Sequence, residues 1–113
     1  MFGSDDIKPF FSCVAEGNLL SVSGEVDLNT AQTLHKALVE SARQLGKLPI
    51  LDFNGVSYFD SSGVKVLVEV HSAFSPHTEQ PRIIGVQPNV LRVMTIVGLR
   101  ELYKIESGNS HEK

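Results

Sequence analysis

Apolar residues recur along the chain in short blocks whose spacing switches between two and about 3.6 residues, the mark of strands alternating with helices. Phe10 to Ala15 reads as a strand, Glu16-Gly17-Asn18 as a turn, and Leu19 to Ser23 as a second strand. In the second strand Leu20 and Val22 alternate with Ser21 and Ser23, as on a sheet with one buried face. The two strands predict an N-terminal hairpin. Ala31, Leu34, Leu38 and Leu45 then follow helical spacing. Asn29 stands at the expected N-cap of that helix. Gln32 lies three residues on, where a capping box places Glu or Gln. Gly46 is placed to stop the helix, and Pro49 lies just beyond it.

Ile50-Leu51-Asp52-Phe53 suits a central strand covered on both faces. Asn54-Gly55 reads as a turn, after which Val56 and Phe59 return to the core. The next stretch fits two periods. Val64, Val66, Val68 and Val70 alternate with Lys65, Leu67 and Glu69, while Val64, Leu67, Val68, His71 and Phe74 share a helical face. Local propensity leans towards strand, because valine is β-branched. Ser75 to Pro81 is a loop with two prolines, and Arg82 to Val86 another apolar strand. Pro88 fits the first turn of a helix carrying Val90, Val93, Met94 and Val97, with Gly98 after its end. Leu102 to Ile105 reads as a last short strand. Strands alternating with helices predict an α/β fold with a mixed sheet.

Composition narrows the function classes. The 113 residues suit a single domain spanning 1–113, with a core of about 10–105 and flexible flanks at 1–6 and 107–113. Ten Lys and Arg face 13 Asp and Glu, a net charge of −3, and no basic cluster stands out, so direct nucleic-acid binding is not expected. The single cysteine, Cys13, excludes an internal disulfide, is compatible with a reducing cytosol, and sits in an apolar run as a core residue. The first residues, Met1-Phe2-Gly3-Ser4-Asp5-Asp6, lack the basic and apolar regions of a signal peptide. No apolar run approaches the roughly 18 residues of a membrane span. The expected location is therefore cytoplasmic. His35, His71, His77 and His111 have no metal-ligand spacing, so neither a metal nor a cofactor is expected. There is no Gly-x-Ser-x-Gly elbow and no P-loop, and no histidine adjoins Ser61 to act as its base; the chain reads as a binding module rather than an enzyme.

Three segments carry a resemblance. The first is Ser23-Gly24-Glu25-Val26-Asp27-Leu28-Asn29-Thr30-Ala31. The second runs from Leu51 through Phe59 to Asp60-Ser61-Ser62-Gly63. The third is Val93-Met94-Thr95-Ile96-Val97-Gly98-Leu99, followed by Leu102-Tyr103-Lys104-Ile105. Asp-Ser-Ser-Gly alone is an ordinary turn and helix cap. In order with the other two segments it resembles the STAS family, specifically its bacterial anti-sigma-factor antagonists, over about Phe10 to Ile105.

The resemblance implies a single STAS domain: a mixed sheet of four to five strands with helices mainly on one face. It replaces the strand reading after Gly63 with a helix from Ser62 to about Phe74. It implies a protein that binds an anti-sigma factor when unphosphorylated and releases it when phosphorylated, so controlling a sigma factor by partner switching. The implied partners are an anti-sigma factor that is also a serine kinase of the histidine-kinase-like ATPase type, and a serine phosphatase. The implied phosphorylation site is Ser61, with Ser62 as the alternative. The implied partner-binding set is Asp27, Asn29, Tyr58, Asp60, Ser61, Ser62, Gly63 and Lys65. A phosphate at a helix N-terminus meets unpaired N–H groups and adds about −1.5 to −2 charge. Its expected effect is therefore on the presented surface rather than on folding.

Three departures from the family pattern stand out. Lys65 replaces a residue that is usually small. Two prolines occupy the Ser75–Pro81 connection. Little length follows Ile105 for the family's final helix. A STAS accessory subunit of a stress-signalling or lipid-transport complex is the alternative role.

Overall fold

The computed structural model describes residues 11–74 and 79–108. The expected flexible flank at 1–6, residues 109–113 of the flank expected at 107–113, the first residue of the opening strand, Phe10, and the 75–78 part of the proline loop lie outside the described residues. The elements run in order β1 (Ser12–Glu16), β2 (Leu19–Val26), α1 (Ala31–Leu45), β3 (Ile50–Phe59), α2 (Ser61–Ala73), β4 (Arg82–Val86), α3 (Pro88–Ile96), a 3₁₀ turn (Leu99–Glu101) and β5 (Lys104–Ser107). They form a five-stranded sheet of order β1-β2-β3-β4-β5. β1 pairs antiparallel with β2; the other neighbours are parallel.

Each parallel step moves the same way across the sheet, and crossovers of this kind are right-handed, so the connecting helices are carried on one face. Side-chain burial agrees. Leu20, Val22 and Val26 on β2, Leu51 and Phe53 on β3, and Ile83 on β4 are all but inaccessible. Ser21, Ser23, Asp52 and Ile84, which alternate with them, are only half-buried. The inner face of the helix layer comes from Leu34, Leu38 and Ala42 on α1, Leu67 and Val70 on α2, and Val90 and Met94 on α3. α1 packs along α2 as well as on the sheet. Tyr103, just before β5, donates its hydroxyl to the Leu67 carbonyl at 2.6 Å, tying the end of the chain to α2. Burial pushes the Tyr103 phenol well above its ordinary pKa.

Several local expectations are corrected. Asn54-Gly55 is not a turn but lies inside β3. Between Ser21↔Asp52 and Ser23↔Gly55, β3 carries one residue more than β2, a bulge. A second extra residue lies between Gly24↔Val56 and Glu25↔Tyr58. The Asp52 carboxylate accepts from the Asn54 backbone N–H (2.9 Å) and side-chain amide (2.7 Å), which holds the first bulge. A Cβ on Gly55 would stand 2.7 Å from the Ser23 Oγ, so the strands approach too closely there for another residue. The bulges explain why Val56 and Phe59 are both buried although three positions apart, while Ser57 and Tyr58 face solvent.

β2 continues past Ser23 to Val26. β5 begins at Lys104 rather than Leu102, because Leu99–Glu101 first makes a 3₁₀ turn; Ser107, expected to fray, belongs to β5. Cys13 is half-buried on the edge strand rather than central. After Gly63 the chain is helical, as the resemblance implied and against local valine propensity. Gly63, Val66, Leu67 and Val70 form the buried stripe of that helix.

Candidate functional site

The carboxyl ends of β2 and β3 lie side by side, with Glu25 opposite Tyr58 and Val26 opposite Phe59. In open α/β sheets this end is where ligands and partners are met. Two helix entries leave it, one after each strand.

The first entry is organised by Asp27. Its Oδ1 accepts from the backbone N–H of Asn29 (2.9 Å) and of Thr30 (3.2 Å). The Thr30 hydroxyl accepts from the Asp27 N–H at 2.9 Å and donates to the Glu25 carbonyl at 2.7 Å. Asn29 is therefore not the N-cap. Thr30 occupies that position, and its side chain turns back to the strand instead of capping. The reason is that the Thr30 hydroxyl is taken up by the Asp27 N–H and the Glu25 carbonyl, in a turn that the Asp27 carboxylate organises. Asp27 thus has a structural task, and Asn29 is an exposed residue of the same turn. Leu28, at the apex, is 81% exposed.

The second entry is organised by Asp60, the N-cap of α2. Its Oδ1 accepts from the Ser62 N–H at 2.9 Å, and its backbone carbonyl accepts from Gly63 (3.0 Å) and Val64 (3.2 Å). Its Oδ2 accepts from the Tyr58 hydroxyl at 3.1 Å. The donors of the first turn beyond Ser61 are thus already engaged. This revises the expectation that a phosphate would settle on unpaired N–H groups: it would meet the Asp60 carboxylate beside a helix start that is already capped.

Ser61, the first helical residue, is exposed, and Ser62 is half-buried. Tyr58 is exposed, and its phenol is raised above its ordinary pKa by the hydrogen bond to Asp60, then by the charges of Asp60, Asp27 and Glu25. An acidic rim therefore surrounds this tyrosine. Gly63 is buried. A Cβ there would stand 2.5 Å from the Phe59 ring and 2.7 Å from Val26, so glycine lets α2 lie against the ends of both strands. Lys65 is exposed, four residues after Ser61 and so on the same face of α2.

The structure therefore brings Asp27, Tyr58, Asp60 and Ser61 to one rim, with Ser62 and Lys65 on the side towards α1. There they line a groove with Leu28 and His35. Glu25 and Leu28 were not identified from sequence. Glu25 carried a signal as the outward residue of β2 just before Val26. Leu28 carried one as an apolar residue stranded in a polar turn, off the apolar spacing of α1. Among the described residues no three His, Cys, Asp or Glu side chains converge as metal ligands, and no helix is long and apolar enough to cross a membrane. A larger hollow of about 460 Å³ lies at the opposite end of the sheet, beside Lys47, Pro49 and Arg82, away from both helix entries.

The STAS domain family model matches residues 14–110. The anti-sigma-B factor antagonist of Staphylococcus aureus is 31% identical over 94 residues, covering 82% of this chain and 86% of that protein, and the Staphylococcus epidermidis protein of that name matches equally. Among solved structures, an anti-sigma factor antagonist from Mycobacterium paratuberculosis superposes with a TM-score of 0.70 at 22% identity, covering 86% of this chain and 84% of that one. The anti-sigma factor antagonist SpoIIAA, in its unphosphorylated form, gives 0.66 at 17% identity, covering 89% and 91%.

Proposed function

The chain belongs to the STAS domain family, and from that membership we propose that it is a cytoplasmic anti-sigma factor antagonist switched by phosphorylation of Ser61. Unmodified, it binds an anti-sigma factor and frees the sigma factor. That anti-sigma factor, a serine kinase of the histidine-kinase-like ATPase type, phosphorylates Ser61 and so ends the complex; a serine phosphatase restores it. The observation that carries this reading is the exposed Ser61, first residue of α2, beside the Asp60 cap on a rim shared with Tyr58 and Asp27. Ser61 is favoured over Ser62 because Ser62 is half-buried and its N–H is bound to Asp60. The likeness to the staphylococcal antagonists supports the partner class.

The mechanism follows from charge. A phosphoryl group brings about −1.5 to −2 charge at neutral pH. Placed next to Asp60, on a rim already carrying Glu25 and Asp27, it concentrates negative charge where the partner docks. The first turn of α2 keeps its cap, so the fold stays and the surface changes. Like-charge juxtaposition across an interface costs several kcal/mol, on the order of a hundred-fold or more in affinity.

The test incubates the protein with the candidate kinase and ATP and reads intact mass. Wild type and Ser62→Ala should gain one phosphate and Ser61→Ala none. Phosphate on Ser61→Ala but not on Ser62→Ala would move the site to Ser62. In binding, Ser61→Asp should be weaker than Ser61→Ala; equal affinities would contradict the charge mechanism.

A further inference from the structure

Between α1 and α2 runs a groove of about 370 Å³, floored by Ala31 and Val66 and edged by Leu28, His35, Lys65 and Glu69. Resting on the reading of the chain as an anti-sigma factor antagonist, we infer that this groove is a second part of the partner surface. In it Leu28 and Lys65 select a segment of the anti-sigma factor that offers an apolar side chain flanked by a carboxylate.

Leu28 supplies the apolar half. It is 81% exposed at the apex of a turn whose backbone is held by the Asp27 carboxylate and the Thr30 hydroxyl. A leucine presented on a fixed loop costs little ordering on association, so its burial counts almost fully towards affinity. Ile96 is comparably exposed at 77%, but it lies on α3, whose packing is mainly against β3 and the 3₁₀ turn.

Charge supplies the other half. The rim around Tyr58 is acidic, through Glu25, Asp27 and Asp60. On the groove side Lys65 is exposed, with the half-buried His35 facing it from α1 and Glu69 one turn further along α2. A partner segment that offers a carboxylate to Lys65 is held by that cation and repelled by any negative charge added at the rim. The two sides are continuous: Ser62 lines the groove, and Ser61 precedes it at the same helix start.

This gives Lys65 two competing ions. A phosphate on Ser61 lies four residues before Lys65, at the spacing where opposite charges pair along a helix. Phosphorylation then removes the cation from the partner's carboxylate as well as adding repulsion at the acidic rim.

The test titrates the kinase that phosphorylates this chain, with ADP so that no phosphoryl group moves, against unphosphorylated variants. Leu28→Ala should weaken binding about ten-fold, the size of an interface anchor truncation. Lys65→Glu should weaken it by more than Lys65→Gln, and Ile96→Ala should leave it unchanged. All three side chains are exposed, so thermal midpoints should stay near wild type and separate binding from folding. If wild type binds while Leu28→Ala and Lys65→Glu stay within about two-fold of it, the groove is not part of the surface. If Leu28→Ala instead alters sedimentation of the protein alone, the occupant is a second copy and the inference is overturned. If wild type is neither bound nor phosphorylated by any kinase of its host, it is the underlying functional reading that fails.

Discussion

Replacing Gly63 with alanine should destabilise the protein, although alanine is the better helix former. Gly63 lies in the first turn of α2, and in an unobstructed helix the exchange gains about 1 kcal/mol. Here the new Cβ would stand 2.5 Å and 2.9 Å from two atoms of the Phe59 ring and 2.7 Å from Val26 Cγ1. Neither neighbour has slack. Phe59 is 3% exposed and Val26 is inaccessible. The Phe59 ring also meets the Phe53 ring edge-on, with centroids 5.9 Å apart. Relief therefore requires α2 to lift from the sheet or the ring to leave its rotamer, and overpacking of that kind costs about 1–3 kcal/mol. Set against the propensity gain, a net loss of up to about 2 kcal/mol is expected, or up to roughly 10 °C in thermal midpoint for a chain of this size. Urea unfolding followed by far-UV circular dichroism reads the difference. Ser72→Ala, an exposed change near the far end of the same helix, is the control and should be neutral to slightly stabilising. A midpoint for Gly63→Ala at or above wild type would show that the helix entry has room for a methyl group. The glycine would then have to be explained by something other than this contact, such as space needed by a partner.

Three further outcomes follow from named contacts. Asp60→Ala removes the carboxylate that accepts from Ser62 and Tyr58 and should cost about 0.5–2 kcal/mol. Asp60→Asn keeps a capping oxygen and should recover most of that loss, so equal unfolding midpoints for the two variants would contradict the capping role. Tyr103→Phe deletes the 2.6 Å bond to the Leu67 carbonyl while keeping the ring, and should cost about 1 kcal/mol by urea unfolding. Cys13 has its thiol pushed up to about 11 by burial on β1. Its native alkylation by iodoacetamide at pH 8 should therefore run about 100-fold slower than in urea, from the thiolate fraction alone. The neutral thiol is the form the fold favours, so its contribution is fully present below pH 9 and is lost as pH rises towards 11. Stability should fall over that window in wild type more than in Cys13→Ala, and parallel pH profiles would contradict this.

The elements legible from spacing are those whose apolar pattern is one-sided and whose ends are marked locally. α1 shows Leu34 and Leu38 at the right interval and a left-handed Gly46 at its end. α3 opens with Pro88. The illegible ones depend on distant neighbours. Four alternating valines describe a strand as well as they describe α2, and the helical face that spacing suggests misplaces Val68, which is 42% exposed while Val66 and Val70 are buried. What decides the matter is the Asp60 cap together with the fit of Gly63 against Phe59 and Val26, and Val26 belongs to a strand 37 residues earlier, by subtraction of the two positions. Asn54-Gly55 has turn chemistry, but the space at Gly55 is set by Ser23 on β2, so the pair becomes a bulge.

The candidate site shows the same division. Asp27 and Asp60 were recognisable because each acts on its own next residues. Glu25 and Leu28 were not, because their meaning comes from Tyr58 and from α2, which only the sheet and the helix pair bring near them. The motif glycine draws both halves together. As sequence, Gly63 looks like part of a turn that presents a serine. In the fold it is the contact that seats α2 on the strand ends, and with it the position of Ser61 relative to Asp27. A partner that reads Ser61 and the acidic rim at once is therefore reading a distance set by the absence of one methyl group. Gly63→Ala should weaken that recognition even where the protein still folds.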